Sequence, residues 1–411
     1  MANQKNLISM FHHFKNISWV LVILLVFFSG QTFSQNLHDV PEKYKTFVSQ
    51  ALKKAGNNEK ELSKAIELAS YEEIESVCYL ISFMPERDLQ ALSAEFILEN
   101  VRLAQKARKE FSWCAALPDS IFLNEVLPYA SLNETRENWR ANFLETFGPL
   151  VKRCDNIYAA IDSINRNILK ITGVEYNTQR EKADQSPLES MKSGMASCTG
   201  LSILLTAAFR SVGIPSRIAG TPMWTNMRGN HNWCEVWIDG QWYFTEYYPD
   251  RLNFSWFLED AGRADRNNPI HWIYASSFKP TGLAFPLVWD ESIQYVHGHN
   301  VTDRYIDLYL ADDDLKAISD ADYILNVVVF QTENAVKSKD RVIARVEVLD
   351  GAEVIDFGYT PGPDDDFNRY LKFTLKRDKK YEIALTLPGG SQKKFIQQSA
   401  DHRNHIQIGR A

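Results

Sequence analysis

The chain has 411 residues, enough for two or three domains. Its 45% hydrophobic and 12% aromatic content is that of a globular protein rather than a disordered one. The formal net charge is −7 and no long basic run is present, which argues against nucleic acid as a partner.

The N-terminus reads as a targeting segment. Lys5 and Lys15 are positive, and Ile17 to Phe28 is apolar apart from Ser18. Thr32 and Ser34 then offer small side chains before a cut at Gln35. About a dozen apolar residues are too few to span a bilayer. Residues 1–34 are therefore expected as a signal peptide, and the mature protein as periplasmic or secreted, with no stable membrane span. The five cysteines are an odd number, so at least one thiol lacks a partner within the chain. No CxxC spacing occurs, which argues against a zinc ribbon or a thioredoxin-type site.

Residues 35–139 read as a helical region. In 91–111 apolar residues recur at three and four, at Leu92, Phe96, Leu98, Val101, Leu103 and Ala107. Gly56-Asn57-Asn58 and Pro85 break the earlier segments, and Pro118-Asp119-Ser120 opens another helix. YAAIDSINRNILKITG (158–173) predicts one amphipathic helix stopped by Gly173. A further helix begins at Cys198, capped by Ser197, with Leu201, Leu204, Leu205 and Ala208 as its buried stripe and Gly213 at its end. HNWCEVWI (231–238), the turn Asp239-Gly240 and QWYFTEYY (241–248) predict a β-hairpin. Residues 304–411 alternate in short strands, and a β-sandwich accessory domain is expected over 301–411. The fold class is α+β.

Cys198 stands where chemistry is expected. A helix N-terminus presents unpaired N–H groups and partial positive charge. Both favour a thiolate and can hold an oxyanion. His231 opens the hairpin and shares a strand face with Trp233, Glu235 and Trp237. On the partner strand Trp242, Phe244 and Glu246 share a face, so Glu246 is placed to accept the second imidazole N–H. Asp250 is the alternative third member. Cys234 falls on the opposite face and reads as structural. His297-Gly298-His299 lacks a third ligand at suitable spacing, so no metal and no cofactor is expected.

The run GMASCTGLSILLTAAFRSVGIPSRIAG, followed by HNWCEVWIDGQWYF, resembles the transglutaminase-like superfamily. The matching positions are Gly194, Cys198, Arg210, Gly213-Ile214-Pro215, Arg217, His231, Trp233, Glu235-Val236, Gly240 and Trp242. The resemblance implies a papain-like core over about 140–300, with Cys198 as nucleophile and His231 as base. It departs from the family at the third member, where Glu246 stands in place of the usual Asp. It also implies a side-chain oxyanion donor upstream of the thiol, for which Gln185 and Asn177 are candidates, with loop tryptophans such as Trp224 as further ones. The aromatic stretch 254–289, with Trp256, Phe257, Trp272 and Tyr274, either covers the cleft or fills the core.

The function these residues imply is cysteine acyl transfer on peptide or glutamine amides through a thioester, with hydrolysis favoured over amine transfer. Substrates are expected to be protein or peptide, and the C-terminal β domain is a candidate surface for glycan or protein. A non-catalytic scaffold is the alternative reading.

Overall fold

The computed structural model describes residues 40–411 apart from 249–250, 313–321, 333–334, 336–337, 366–367, 378, 399–404 and 410–411. The expected signal peptide and Asp250 therefore lie outside the described residues. No helix among the described residues is long and apolar enough to cross a membrane.

The described residues up to Leu98 form one compact unit, and those from Glu99 onward form another. In the first, helices α1 (Lys45–Ala55), α2 (Glu59–Leu68) and α3 (Ile74–Phe83) bury apolar residues at three- and four-residue spacing. Val48, Ala51, Leu62, Ile66, Val77 and Leu80 fill that core. Gly56–Asn58 makes the tight turn between α1 and α2, where the sequence predicts a break. Helix α4 (Ala94–Glu110) buries Ile97, Val101, Ala104 and Ala107, leaving Phe96 and Leu103 at the margin of the stripe.

The second unit is built around one helix and one sheet. Helix α5 spans Trp139–Val151 and α6 spans Ile157–Thr172. Gly173 ends α6 in a left-handed conformation, its N–H bonded to Leu169 O. A short parallel pair, β1 (Glu175–Tyr176) and β2 (Met195–Ala196), brackets α7 (Pro187–Ser193). Helix α8 (Cys198–Ser211) follows at once and is buried on all sides from Thr199 to Ser211. It packs on β3 (Ser216–Thr221) and β4 (His231–Ile238) and against α5 and α6. With β5 (Gln241–Thr245), β6 (Tyr274–Ser277) and β7 (His297–Asn300) these strands form an antiparallel sheet of order β5-β4-β3-β6-β7. His297 and His299 lie on its edge strand β7. The β4–β5 hairpin turns at Asp239-Gly240, both at positive φ, and its register runs without a bulge from Ile238↔Gln241 to Cys234↔Thr245.

Two buried guanidiniums organise the irregular segment 125–131. Arg140 donates to the carbonyls of Val126, Leu127, Pro128 and Arg210. Arg210 donates to those of Glu125, Ala130 and Ser216. A buried carbonyl without a donor costs about as much as a lost hydrogen bond, so an irregular segment can be buried only if donors reach it. Burial, with Arg210 close by, lowers the Arg140 pKa to about 9.

The stretch expected as β from residue 304 opens instead with a helix, α9 (Thr302–Ala311). Tyr305, Ile306, Leu308 and Tyr309 recur at helical spacing, and Tyr305 is wholly buried against Trp233 and Phe244 of the sheet. The strands begin at β8 (Asp322–Phe330) and continue with β9 (Arg345–Asp350), β10 (Glu353–Tyr359), β11 (Leu371–Lys376), β12 (Lys380–Thr386), β13 (Gln392–Gln398) and β14 (His405–Gly409). They make two sheets, β10-β9-β12-β13 and β11-β8-β14. Leu325, Val327, Val346, Val348, Phe373, Ile383 and Leu385 from both sheets share one core, which is the sandwich the alternation predicts.

Gly213 marks the tightest point behind α8. Its φ is +73°, and a Cβ there would sit 2.5 Å from the Cβ of Cys114. Gly213→Ala is expected to destabilise the second unit by about 2–4 kcal/mol, through left-handed strain and overpacking together. Urea melts followed by tryptophan fluorescence would register this as a lower midpoint, and an unchanged midpoint would refute the account.

Candidate active site

The thiol is presented by a capped helix start. Ser197, in extended conformation, accepts the Gly200 N–H at 3.0 Å and donates to Ala183 O at 2.5 Å. Cys198 is then the first residue of α8 and is partly exposed. Helix α8 meets β4 through a brace beside Cys198 and His231. Asn232 Nδ2 donates to Thr199 Oγ1 at 2.7 Å, and the single Ser202 hydroxyl hydrogen is shared between Cys198 O and Asn232 O. The residues that follow the thiol and the imidazole are therefore bonded to each other, which fixes the separation between helix and strand.

His231 opens β4, paired with Thr221 of β3, and is 4% exposed. Its Nε2 lies 2.7 Å from Glu246 Oε1. An ionised carboxylate can only accept, so Nε2 carries a proton. Nδ1 has no hydrogen-bond partner among the described residues, and Cys198 is near enough for its charge to act on the ring. Glu246 follows β5 directly. Its second oxygen accepts from Ser255 Oγ, and its backbone carbonyl accepts from Asn165 of α6. The longer Glu is accommodated without distorting the hairpin, because Ser255 reaches back to hold its far oxygen.

The electrostatics follow from these contacts. Burial alone would lower the His231 pKa, but Cys198 and Glu246 beside it outweigh that and raise it to about 10. The imidazole thus keeps its extra proton through neutral pH. Rings surround it: Trp256 at 5.0 Å between centroids, Phe257 at 5.4 Å, Trp233 at 5.7 Å and Trp224 at 6.4 Å. Of the aromatic stretch, Phe257 is wholly buried in the core while Trp256 is 39% exposed beside His231, so the segment both fills and covers.

Behind the imidazole lies a buried charge cluster. Glu235 is fully buried, accepts from Arg217 Nε at 2.8 Å and from Tyr305 Oη at 2.7 Å, and is bonded by Arg304. Arg217 also lies 3.7 Å over the Trp242 ring, and Trp233 Nε1 donates to Tyr305 Oη at 2.6 Å. Burial would raise the Glu235 pKa, but Arg304 and Arg217 outweigh it and lower it. Arg217, Trp233, Glu235 and Trp242 of the sequence motif thus form a single structural unit.

The remaining candidates take other places. Gln185 is buried and donates both amide hydrogens, to Ser193 Oγ and Met195 O, so its amide braces the turn before β2. Asn177 follows β1, its N–H on Ala196 O and its Oδ1 on the Gln179 N–H. Trp224 is buried, stacked on Trp233, with Nε1 on Asn368. Cys234 contacts Thr206 Oγ1 and Ser202 O, and burial pushes it up to about 12. None of the five cysteines is in a disulfide. Ser255, Arg304, Tyr305 and Asn368 are neighbours that sequence spacing did not reveal. Each lies far along the chain from its partner or on an irregular segment, where no periodicity marks it.

Three outcomes are expected from this geometry. Because the folded-state pKa of His231 lies above the ordinary value of 6.5, its contribution to stability is full below about pH 6.5 and fades as pH rises toward 10. Glu246→Gln should lower the ring's titration midpoint by about one unit or more, read from imidazole NMR shifts; an identical midpoint would contradict the Glu246 contact. Glu235→Gln leaves Arg217 and Arg304 buried without their anion, at a cost of about 3–5 kcal/mol in chemical denaturation.

The family model of the transglutaminase-like superfamily matches residues 147–247. Two solved structures are similar: a candidate cysteine protease from Cytophaga hutchinsonii, 18% identical over 35% of this chain and 47% of that one (TM-score 0.27), and red sea bream transglutaminase, 10% identical over 62% of this chain and 57% of that one (TM-score 0.27). The chain thus spans about half the length of these structures. No curated protein matches. The stretch that carries Cys198, His231 and Glu246, residues 147–247, is a transglutaminase-like domain.

Proposed function

We propose that the protein is an exported cysteine acyl-transfer enzyme that hydrolyses peptide or glutamine amides. The observation that carries this reading is the orientation of His231: Nε2 is held by Glu246, which leaves Nδ1 for the thiol. Export is supported by the charged and apolar pattern of residues 5–34.

The reaction follows from the groups present. The Cys198 sulfur attacks the amide carbonyl, forming a C–S bond while the carbonyl π electrons move onto oxygen. The unpaired N–H groups at the start of α8 stabilise that oxyanion. Protonated His231 gives its proton to the amine nitrogen, the C–N bond breaks, and a thioester remains. Water then attacks the thioester as His231 accepts one of its protons, the C–S bond breaks, and the acid leaves with the Cys198 thiolate and the imidazolium restored. Glu246 holds the ring and balances the imidazolium charge throughout. A partly exposed thiol admits water, which favours hydrolysis over amine transfer.

The test is incubation with a mixed peptide library, with and without a primary amine, read by mass spectrometry. Cleaved or deamidated peptides with little amine incorporation are expected. Cys198→Ala should reduce the products by at least about 1,000-fold. Equal product from that variant would refute the mechanism, and dominant amine incorporation would reassign it as a transamidase.

A further inference from the structure

The sandwich reaches the active site through the chain that leads into β11. Asn368 accepts from Trp224 Nε1 at 3.1 Å and donates to Asn230 O, the residue before His231, at 3.0 Å. Arg228 Nη2 donates to Asn368 O, and its guanidinium lies 4.4 Å over the Tyr370 ring. Two cations gather on Trp256, whose own ring is 5.0 Å from His231: Arg228 at 5.6 Å and Lys372 of β11 at 6.0 Å. Arg228 is 3% exposed and paired with Asp260 at 3.2 Å. Glu259, the other carboxylate near Lys372, is paired with Arg263.

Lys372 alone in this group makes no direct ion pair among the described residues, since Asp260 and Glu259 near it are each bonded to an arginine. Its cross-strand neighbour is Asn326, an amide whose Oδ1 is also unbonded. Lys372 is an exposed residue, and burial of its ammonium with Arg228 close by lowers its pKa against the pull of Asp260 and Glu259. A cation held on an aromatic face without a direct ion pair keeps donors free for an incoming anion.

We infer that Lys372, delivered to Trp256 by the sandwich, is a subsite for a carboxylate of the substrate. This rests on the cysteine-enzyme reading above. One aromatic ring separates the ammonium from the imidazole, so the carboxylate belongs within about three residues of the scissile amide. It is either the side chain of an Asp or Glu or the terminal carboxylate of a short peptide.

The test uses two alkylating reagents that differ only in charge, iodoacetate and iodoacetamide, on the full-length protein. Modification of Cys198 is followed by peptide mapping in the wild type, Lys372→Gln and Lys372→Glu. The ratio of the iodoacetate to the iodoacetamide rate should fall about three- to tenfold in Lys372→Gln and further in Lys372→Glu. High salt should narrow the gap. An unchanged iodoacetamide rate shows that the variants keep their fold. Equal ratios in all three proteins would overturn the subsite while leaving the reactive thiol intact. A wild-type Cys198 that neither reagent modifies would overturn the enzyme reading, and the subsite with it. Peptide pairs then separate the sources: Glu against Gln near the cleaved bond, and C-terminal acid against amide. Lys372→Gln should erase the preference in one pair, and a variant that erases neither also overturns the proposal.

Discussion

A carboxylate with no exposed surface stands at the centre of this fold. Glu235 can be ionised there only because Arg217, Arg304 and Tyr305 converge on it from β3 and α9. Arg217 in turn lies on Trp242 of β5. One anion therefore ties three strands and a helix, and it does so four residues from the His231 imidazole. Attraction between such groups is strong in a low-dielectric interior, but each partner alone would be costly to bury. The arrangement is accordingly all or none, and it holds the start of β4 in place.

On that frame the reacting groups are positioned by short bonds rather than by bulk. The Thr199–Asn232 contact sets the distance between helix and strand, and Ser202 bridges Cys198 O to Asn232 O. Ser255 and Asn165 hold Glu246 from opposite directions. The aromatic rings then limit water around His231, which strengthens its charge interactions with Glu246 and Cys198.

The sequence was informative where function and fold depend on nearby residues. The helix start at Cys198, its Ser197 cap, the Asp239-Gly240 hairpin and the Glu246 position all rest on local periods of two or 3.6 and on turn chemistry. The regular hairpin register made the alternation from Trp242 to Glu246 dependable. Local pattern failed at α9, where Tyr305 and Tyr309 are strand-prone residues placed on a helix by packing on the sheet. It could not reveal Arg304, Asn368 or Lys372, because their partners lie 69, 144 or 138 residues away in the chain or meet them only across domains. Whether the aromatics of 254–289 were core or cover was also undecidable from composition, since adjacent residues Trp256 and Phe257 do one each.

The division of labour among the motif residues has an evolutionary consequence. Arg210, Gly213, Arg217, Trp233, Glu235 and Trp242 all serve the scaffold, through carbonyl capture, close packing or the buried anion. Only the thiol, the imidazole and the hairpin-end carboxylate are left for the chemistry proposed above. A descendant that exchanged the sulfur for an inert side chain would lose none of those scaffold contacts, and it would inherit the same shape free to be used for recognition alone.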